Sequence, residues 1–135
     1  MQVDVILIDR DPISIYLYQR ALAQVDAAKY SLHKFTSGRE ALKHLENNRD
    51  EDRRYVILMD MKMGSISGRE FLDLVRRAYP DKTQVIIISE ADQKGEIDKT
   101  AGYEPVISCF EKPISMESLW EIGNLVCQMV RMTPG

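Results

Sequence analysis

Cysteine is nearly missing from this chain: Cys109 and Cys127 are the two in 135 residues, and they give neither a disulfide framework nor the paired spacing of a cysteine metal site. Both are expected to be buried thiols in a reducing compartment. Positive charge is not in excess. Lys and Arg number 18 against 21 Asp and Glu, and the net charge of -3 offers no attraction to nucleic acid or anionic lipid. Neither partner is expected. Long apolar runs are also lacking, since residues 5–8 and 85–88 are far too short to cross a bilayer. The first twenty residues carry Asp4, Asp9 and Asp11 without the basic start of a targeting segment. A soluble, cytoplasmic protein is the expectation. There is no internal repeat and no low-complexity tract, and one domain over residues 1–131 is expected, with 132–135 a tail or the start of a linker.

What is present is an alternation of short apolar strands with helical patterns. Residues 3–8 form an apolar, β-branched stretch interrupted by Asp4, as expected of a strand covered on both faces. Pro12 pre-sets a helix over residues 12 to about 25, with Ile13, Leu17, Ala21 and Val25 as its buried stripe. Residues 30–35 make a second strand. Ser37 and Glu40 have capping-box spacing before a helix that turns Ala41, Leu42 and Leu45 inward. Residues 47–54 are charged or turn-forming and read as a solvated connection. The run Tyr55-Val56-Ile57-Leu58-Met59 is a third strand, closed by Asp60, and Ser67 and Glu70 repeat the capping spacing before Phe71, Leu72, Leu74 and Val75. Tyr79-Pro80 stops that helix. Residues 85–88 are the most strand-like segment and run into Ser89. The helix expected within 91–101 is mostly polar, has Gly95 in its middle and is the weakest of the set. Residues 106–110 form strand five, and Ser115 caps a last helix whose stripe is Leu119, Ile122, Val126 and Met129.

Five strands alternating with five helices imply a doubly wound α/β fold with a parallel sheet, because parallel neighbours need crossover helices. In such sheets ligands bind at the C-terminal strand ends. Those ends here carry Asp9, Asp60, Ser89 and Lys112. A carboxylate can accept a phosphoryl group when the negative charges of both partners are neutralised. Asp9 and Asp60 could hold a magnesium ion for that purpose, Lys112 supplies a compact positive charge, and Ser89 supplies a hydroxyl donor.

With these residues in this order, the chain resembles the receiver domain of bacterial response regulators, the group that includes the chemotaxis response protein. The resemblance rests on Ile8-Asp9-Arg10-Asp11-Pro12, on Leu58-Met59-Asp60-Met61-Lys62-Met63 running to Gly68, on Ile88-Ser89 and on Lys112-Pro113. It implies a flavodoxin-like sheet of order 2-1-3-4-5 and a signalling domain, not a turnover enzyme. It implies phosphoryl transfer to Asp60 from a sensor histidine kinase or phosphotransfer protein, with magnesium held by Asp9, Asp60 and the Lys62 backbone carbonyl. A shift of Ser89 toward the phosphate would then remodel the face of the fourth helix, fifth strand and fifth helix, which a downstream effector reads.

Three positions depart from the family pattern. Arg10 stands where a second adjacent acid usually ligates the metal, so affinity should fall unless Asp11 swings in. Gly64 replaces a common proline four residues after the phosphoacceptor. Cys109 replaces an aromatic residue that couples to the hydroxyl shift. Arg10 motivates an alternative reading as a pseudo-receiver, an interaction module without effective phosphorylation. A haloacid-dehalogenase-type phosphatase using Asp9 is a further alternative, because Asp9-Arg10-Asp11 follows an apolar strand as in that family's nucleophile motif. His33 and His44 have no ligand partners at metal spacing and are expected to be surface or satisfied side chains. Arg53-Arg54 and Arg76-Arg77 are expected to be solvated. Trp120 falls about 100° off its helix stripe, leaving open partial burial or an exposed anchor for a homodimer or effector.

Overall fold

Alternate residues of the first strand serve two different cores. In β1 (Gln2–Ile8), Val3, Val5 and Leu7 join one buried cluster while Ile6 and Ile8 join another, so the strand is covered on both faces. β3 (Arg53–Met59) and β4 (Thr83–Ser89) divide in the same way, with Leu58 and Ile88 on one side and Ile57 and Ile87 on the other. β2 (Ser31–Phe35) and β5 (Val106–Glu111) complete a parallel sheet of order β2-β1-β3-β4-β5, the topology expected from the alternation. The structure, a computed structural model, describes residues 2–48 and 52–131. The tail expected at 132–135 and the middle of the charged connection lie outside the described residues.

α1 (Pro12–Ala21) and α5 (Met116–Arg131) pack on one face of the sheet, and α2 (Gly38–Asn47) and α3 (Gly68–Ala78) pack on the other. α4 (Lys94–Asp98) is five residues long, follows a 3-10 turn at Ala91–Gln93 and buries no residue. Its weakness was expected from its composition.

Several local expectations need correction. α1 ends at Ala21, and a 3-10 turn follows at Leu22–Gln24. Its inward residues are Ser14, Ile15, Tyr18 and Ala21, whereas Ile13 is 70% exposed. The helix carries two overlapping apolar sets, and Tyr18 decides between them because its hydroxyl finds an acceptor inside. Ser37 forms no side-chain cap on α2. At that helix start Met63 approaches Gly38 so closely that a Cβ would lie 2.8 Å from Met63 Sδ. Ser67 does cap α3, its Oγ accepting from Glu70 N at 3.1 Å and donating to Glu70 Oε1 at 3.4 Å. Ser115 Oγ likewise accepts from Ser118 N at 3.0 Å.

β5 is an edge strand beside the short α4, so its residues alternate between half-buried and exposed. Cys109 is exposed and Cys127 half-buried, against the expectation of two buried thiols. Trp120 is 62% exposed, which settles its open placement.

Candidate functional site

Register brings the site together. Ile8 pairs with Met59 across β1 and β3, so the next residues, Asp9 and Asp60, leave the sheet side by side. Asp9 N still donates to Phe35 O, and Asp60 N to Ile8 O, each at 3.1 Å. On the other side of β3, Ser89 pairs with Glu111, and Lys112 N donates to Ser89 O at 2.8 Å. The Lys112-Pro113 peptide is cis. All four residues expected at the strand ends therefore converge.

Lys112 Nζ bridges the two acids, 2.7 Å from Asp9 Oδ2 and 2.8 Å from Asp60 Oδ2. Ser89 Oγ donates to Asp60 Oδ1 at 2.5 Å, and Lys62 N donates to the same oxygen at 3.0 Å. Ser89 Oγ accepts from Met61 N at 3.3 Å. Asp9 Oδ1 accepts from Asp11 N at 2.9 Å, and Asp9 Oδ2 accepts from Tyr18 OH at 2.5 Å. Every oxygen of both carboxylates thus has a protein donor. That matters because Asp9 and Asp60 are only 2% and 6% exposed, and buried charges are tolerated only when paired and hydrogen-bonded.

Burial pushes the Asp60 carboxyl up, but the Lys112 ammonium, the Ser89 hydroxyl and the Lys62 amide outweigh it and hold its pKa below the ordinary value. Burial pulls Lys112 down, and Asp60 with Asp9 more than reverses this, leaving its pKa raised. Tyr18 is held far above a normal phenol by burial and then by Asp9, so it remains a donor.

Tyr18 was missed in the sequence because the helical stripe was assigned to Ile13 and Leu17. The set Ile15, Tyr18, Leu22 and Val25 was the available signal. Asp11 caps α1, its Oδ1 accepting from Ile13 N at 2.9 Å. Arg10 is exposed, with its side-chain stem lying beside Gly64. Gly64 has φ +86°, a conformation closed to proline, so this loop follows a path that the family's common proline could not adopt. Lys62 Nζ reaches Asp92 Oδ2 at 3.0 Å and Glu90 Oε2 at 3.6 Å, tying the loop after β3 to the loop after β4.

A second constellation corrects the reading of the histidines. His33 and His44 lie with ring centroids 4.1 Å apart, and each Nε2 is 3.6 Å from an oxygen of the wholly buried Asp4. Parallel pairing of β1 with β2 brings Asp4 and His33 to neighbouring rows, and α2 lays His44 over both. Arg53 belongs to β3 and is not a solvated arginine: its Nη1 donates to Asp4 Oδ1 at 2.8 Å. Burial, and then neighbouring His33, lower the His44 pKa. Arg76 lies over the Tyr103 ring, 3.9 Å from its centroid.

A five-stranded parallel sheet of this order, with an acid cluster at its C-terminal edge, defines a flavodoxin-like α/β domain. The family model for the response regulator receiver domain matches residues 5–123, and the chain belongs to that family. The family consists of phospho-accepting signalling domains of two-component systems, in general not turnover enzymes. Solved structures with this fold include a response regulator receiver domain protein from Clostridium thermocellum, 19% identical with TM-score 0.70, covering 96% of this chain and 98% of that one. A chemotaxis response regulator of Vibrio cholerae is 22% identical with TM-score 0.66, covering 96% and 99%. The receiver domain of RcsB from Salmonella enterica serovar Typhimurium, in the presence of the phosphomimetic BeF3-, is 12% identical with TM-score 0.75, covering 100% and 93%. No curated protein matches this chain in sequence. Among the described residues, no helix is long and apolar enough to cross a membrane.

Proposed function

We propose that Asp60 accepts a phosphoryl group from the phosphohistidine of a sensor kinase or phosphotransfer protein, in the cytoplasm. The observation that carries this reading is the placement of Ser89 and Lys112 on different oxygens of Asp60, at 2.5 and 2.8 Å. Donors so placed need only a small displacement to follow charge onto the oxygens of a phosphoryl group joined to that carboxylate. The P–N bond of the phosphohistidine breaks as the P–O bond to Asp60 forms.

The donor set fits magnesium, since Asp9 and Asp60 offer two hard carboxylates that share one ammonium contact. With the Lys62 carbonyl they would hold the ion, which neutralises charge as the phosphoryl group approaches. Recruiting Asp11 as well would release its cap on α1, at a cost of about 1 kcal/mol. Movement of Ser89 is read on the face of α4, β5 and α5, where the five-residue α4 offers little resistance to rearrangement. The partner there is an effector protein or a second copy of the chain, not nucleic acid or a membrane.

Arg10 favours a second reading, an interaction module with the same fold and no effective phosphorylation. Intact mass after treatment with acetyl phosphate and magnesium separates the two. A single phosphate adduct, lost in Asp60→Asn, is expected. No adduct together with undetectable magnesium binding would establish the second reading, and turnover of phosphate esters dependent on Asp9 would establish a phosphatase.

A further inference from the structure

We propose that Asp4, His33 and His44 form a second metal centre, one that takes a zinc-class divalent transition ion on the α2 face of the sheet. Asp4 lies five residues before Asp9 along the chain, roughly 16 Å at strand rise, and its side chain joins the other face, where Ile6 and Ile8 pack under α2 and α3. The site is therefore separate from the acidic edge.

The geometry is that of ligands without a bond to share. Asp4 is wholly buried, yet its Oδ2 has no hydrogen-bond partner, and neither does the buried Nε2 of His44 that faces it at 3.6 Å. His33 Nε2 stands at the same 3.6 Å from Asp4 Oδ1. These separations are too long for hydrogen bonds. The one between His44 Nε2 and Asp4 Oδ2 lies near the edge of a tetrahedron of N and O ligands around zinc, about 3.3 Å for bonds of roughly 2.0–2.1 Å. Among the described residues, this is the one group of three His, Cys, Asp or Glu whose ligand atoms all lie within 4.8 Å of one another. An ion between them would satisfy both orphaned atoms at once. Two imidazoles with one carboxylate select zinc, copper, nickel or iron over magnesium and calcium, whose ligands are oxygens.

The surroundings match a ligand set. Arg53 Nη1 holds Asp4 Oδ1 at 2.8 Å, leaving Oδ2 for the ion, as the non-ligating oxygen of a metal carboxylate is usually hydrogen-bonded. The His33 side chain is 30% exposed, which supplies access and a position for water. Ligation through His44 Nε2 puts the ring proton on Nδ1. That atom now faces Asn48 Nδ2 at 3.2 Å, and the same Nδ2 donates to His44 O at 2.8 Å. Asn48 Nδ2 must therefore give up its contact with Nδ1 when the ion binds, while it can keep its hydrogen bond to His44 O.

The test is zinc titration of the untagged full chain by calorimetry, with cobalt absorption as a second readout. One equivalent is expected, with cobalt bands of a four-coordinate site. His33→Gln and His44→Gln should each abolish or severely weaken binding. The double variant Asp9→Asn, Asp60→Asn should leave it unchanged, which separates this site from the acidic edge. Circular dichroism confirms that each variant is folded. Absence of zinc binding by the parent chain, or full binding retained in both histidine variants, would overturn the proposal.

Discussion

Asp60 accepts from Ser89, Lys62 and Lys112 within one buried pocket, and the sign of its pKa shift makes the fold itself pH-sensitive. A carboxyl with a folded pKa below its unfolded value, 3.8, stabilises the native state above that value and loses the contribution as pH falls through the folded pKa. Lys112 acts oppositely: its raised pKa gives a contribution fully present below 10.5 and lost as pH rises through the folded value. Urea midpoints should therefore be flat between about pH 5 and 9 for this pair and drop on both sides. Asp60→Asn should remove much of the acid-side slope. A slope unchanged in that variant would place the titrating groups elsewhere. Tyr18 is open to a separate test. Tyr18→Phe keeps the packing and deletes one donor to Asp9, so a loss of about 1–2 kcal/mol in urea unfolding is expected, with normal secondary structure.

At the scale of elements, two serines with the same sequence spacing behave differently. Ser67 bonds the Glu70 amide, whereas Ser37 makes no cap bond on α2. Ser67→Ala should cost about 1 kcal/mol and Ser37→Ala less than about half of that. Comparable losses in thermal unfolding would mean that Ser37 caps its helix after all. Spacing alone could not separate them, because whether the serine oxygen reaches an amide depends on the geometry of the helix start, where α2 also packs closely on Met63, a residue distant in the chain. In the loop after β3, Gly64 takes a positive φ that glycine allows but that its neighbours in the chain do not by themselves require.

For the molecule as a whole, stability should be graded across the sheet. β3 lies centrally between β1 and β4, all three with both faces covered, while α4 buries nothing and β5 is an edge. Amide exchange should be slowest in β1, β3 and β4, close to the rate of global unfolding, and fastest among the helices in α4. Protection of α4 equal to that of α5 would contradict the proposal that α4, β5 and α5 form the face that rearranges.

Order of elements, strand polarity and the four strand-end residues were legible in the chain because each depends on short-range pattern: two-residue alternation, helical spacing, a proline or a serine at a start. Asp9, Asp60, Ser89 and Lys112 could be placed together because a doubly wound topology sends all parallel strand ends to one edge. Other features needed the packed molecule. Which of two apolar sets of α1 turns inward, that Tyr18 reaches Asp9, that Cys109 and Trp120 face outward, and that Asp4, His33, His44 and Arg53 meet under α2 all follow from how distant segments register against one another. Such contacts leave no periodic trace in sequence, since a pairing across thirty or forty residues is fixed by strand register and helix rotation in space.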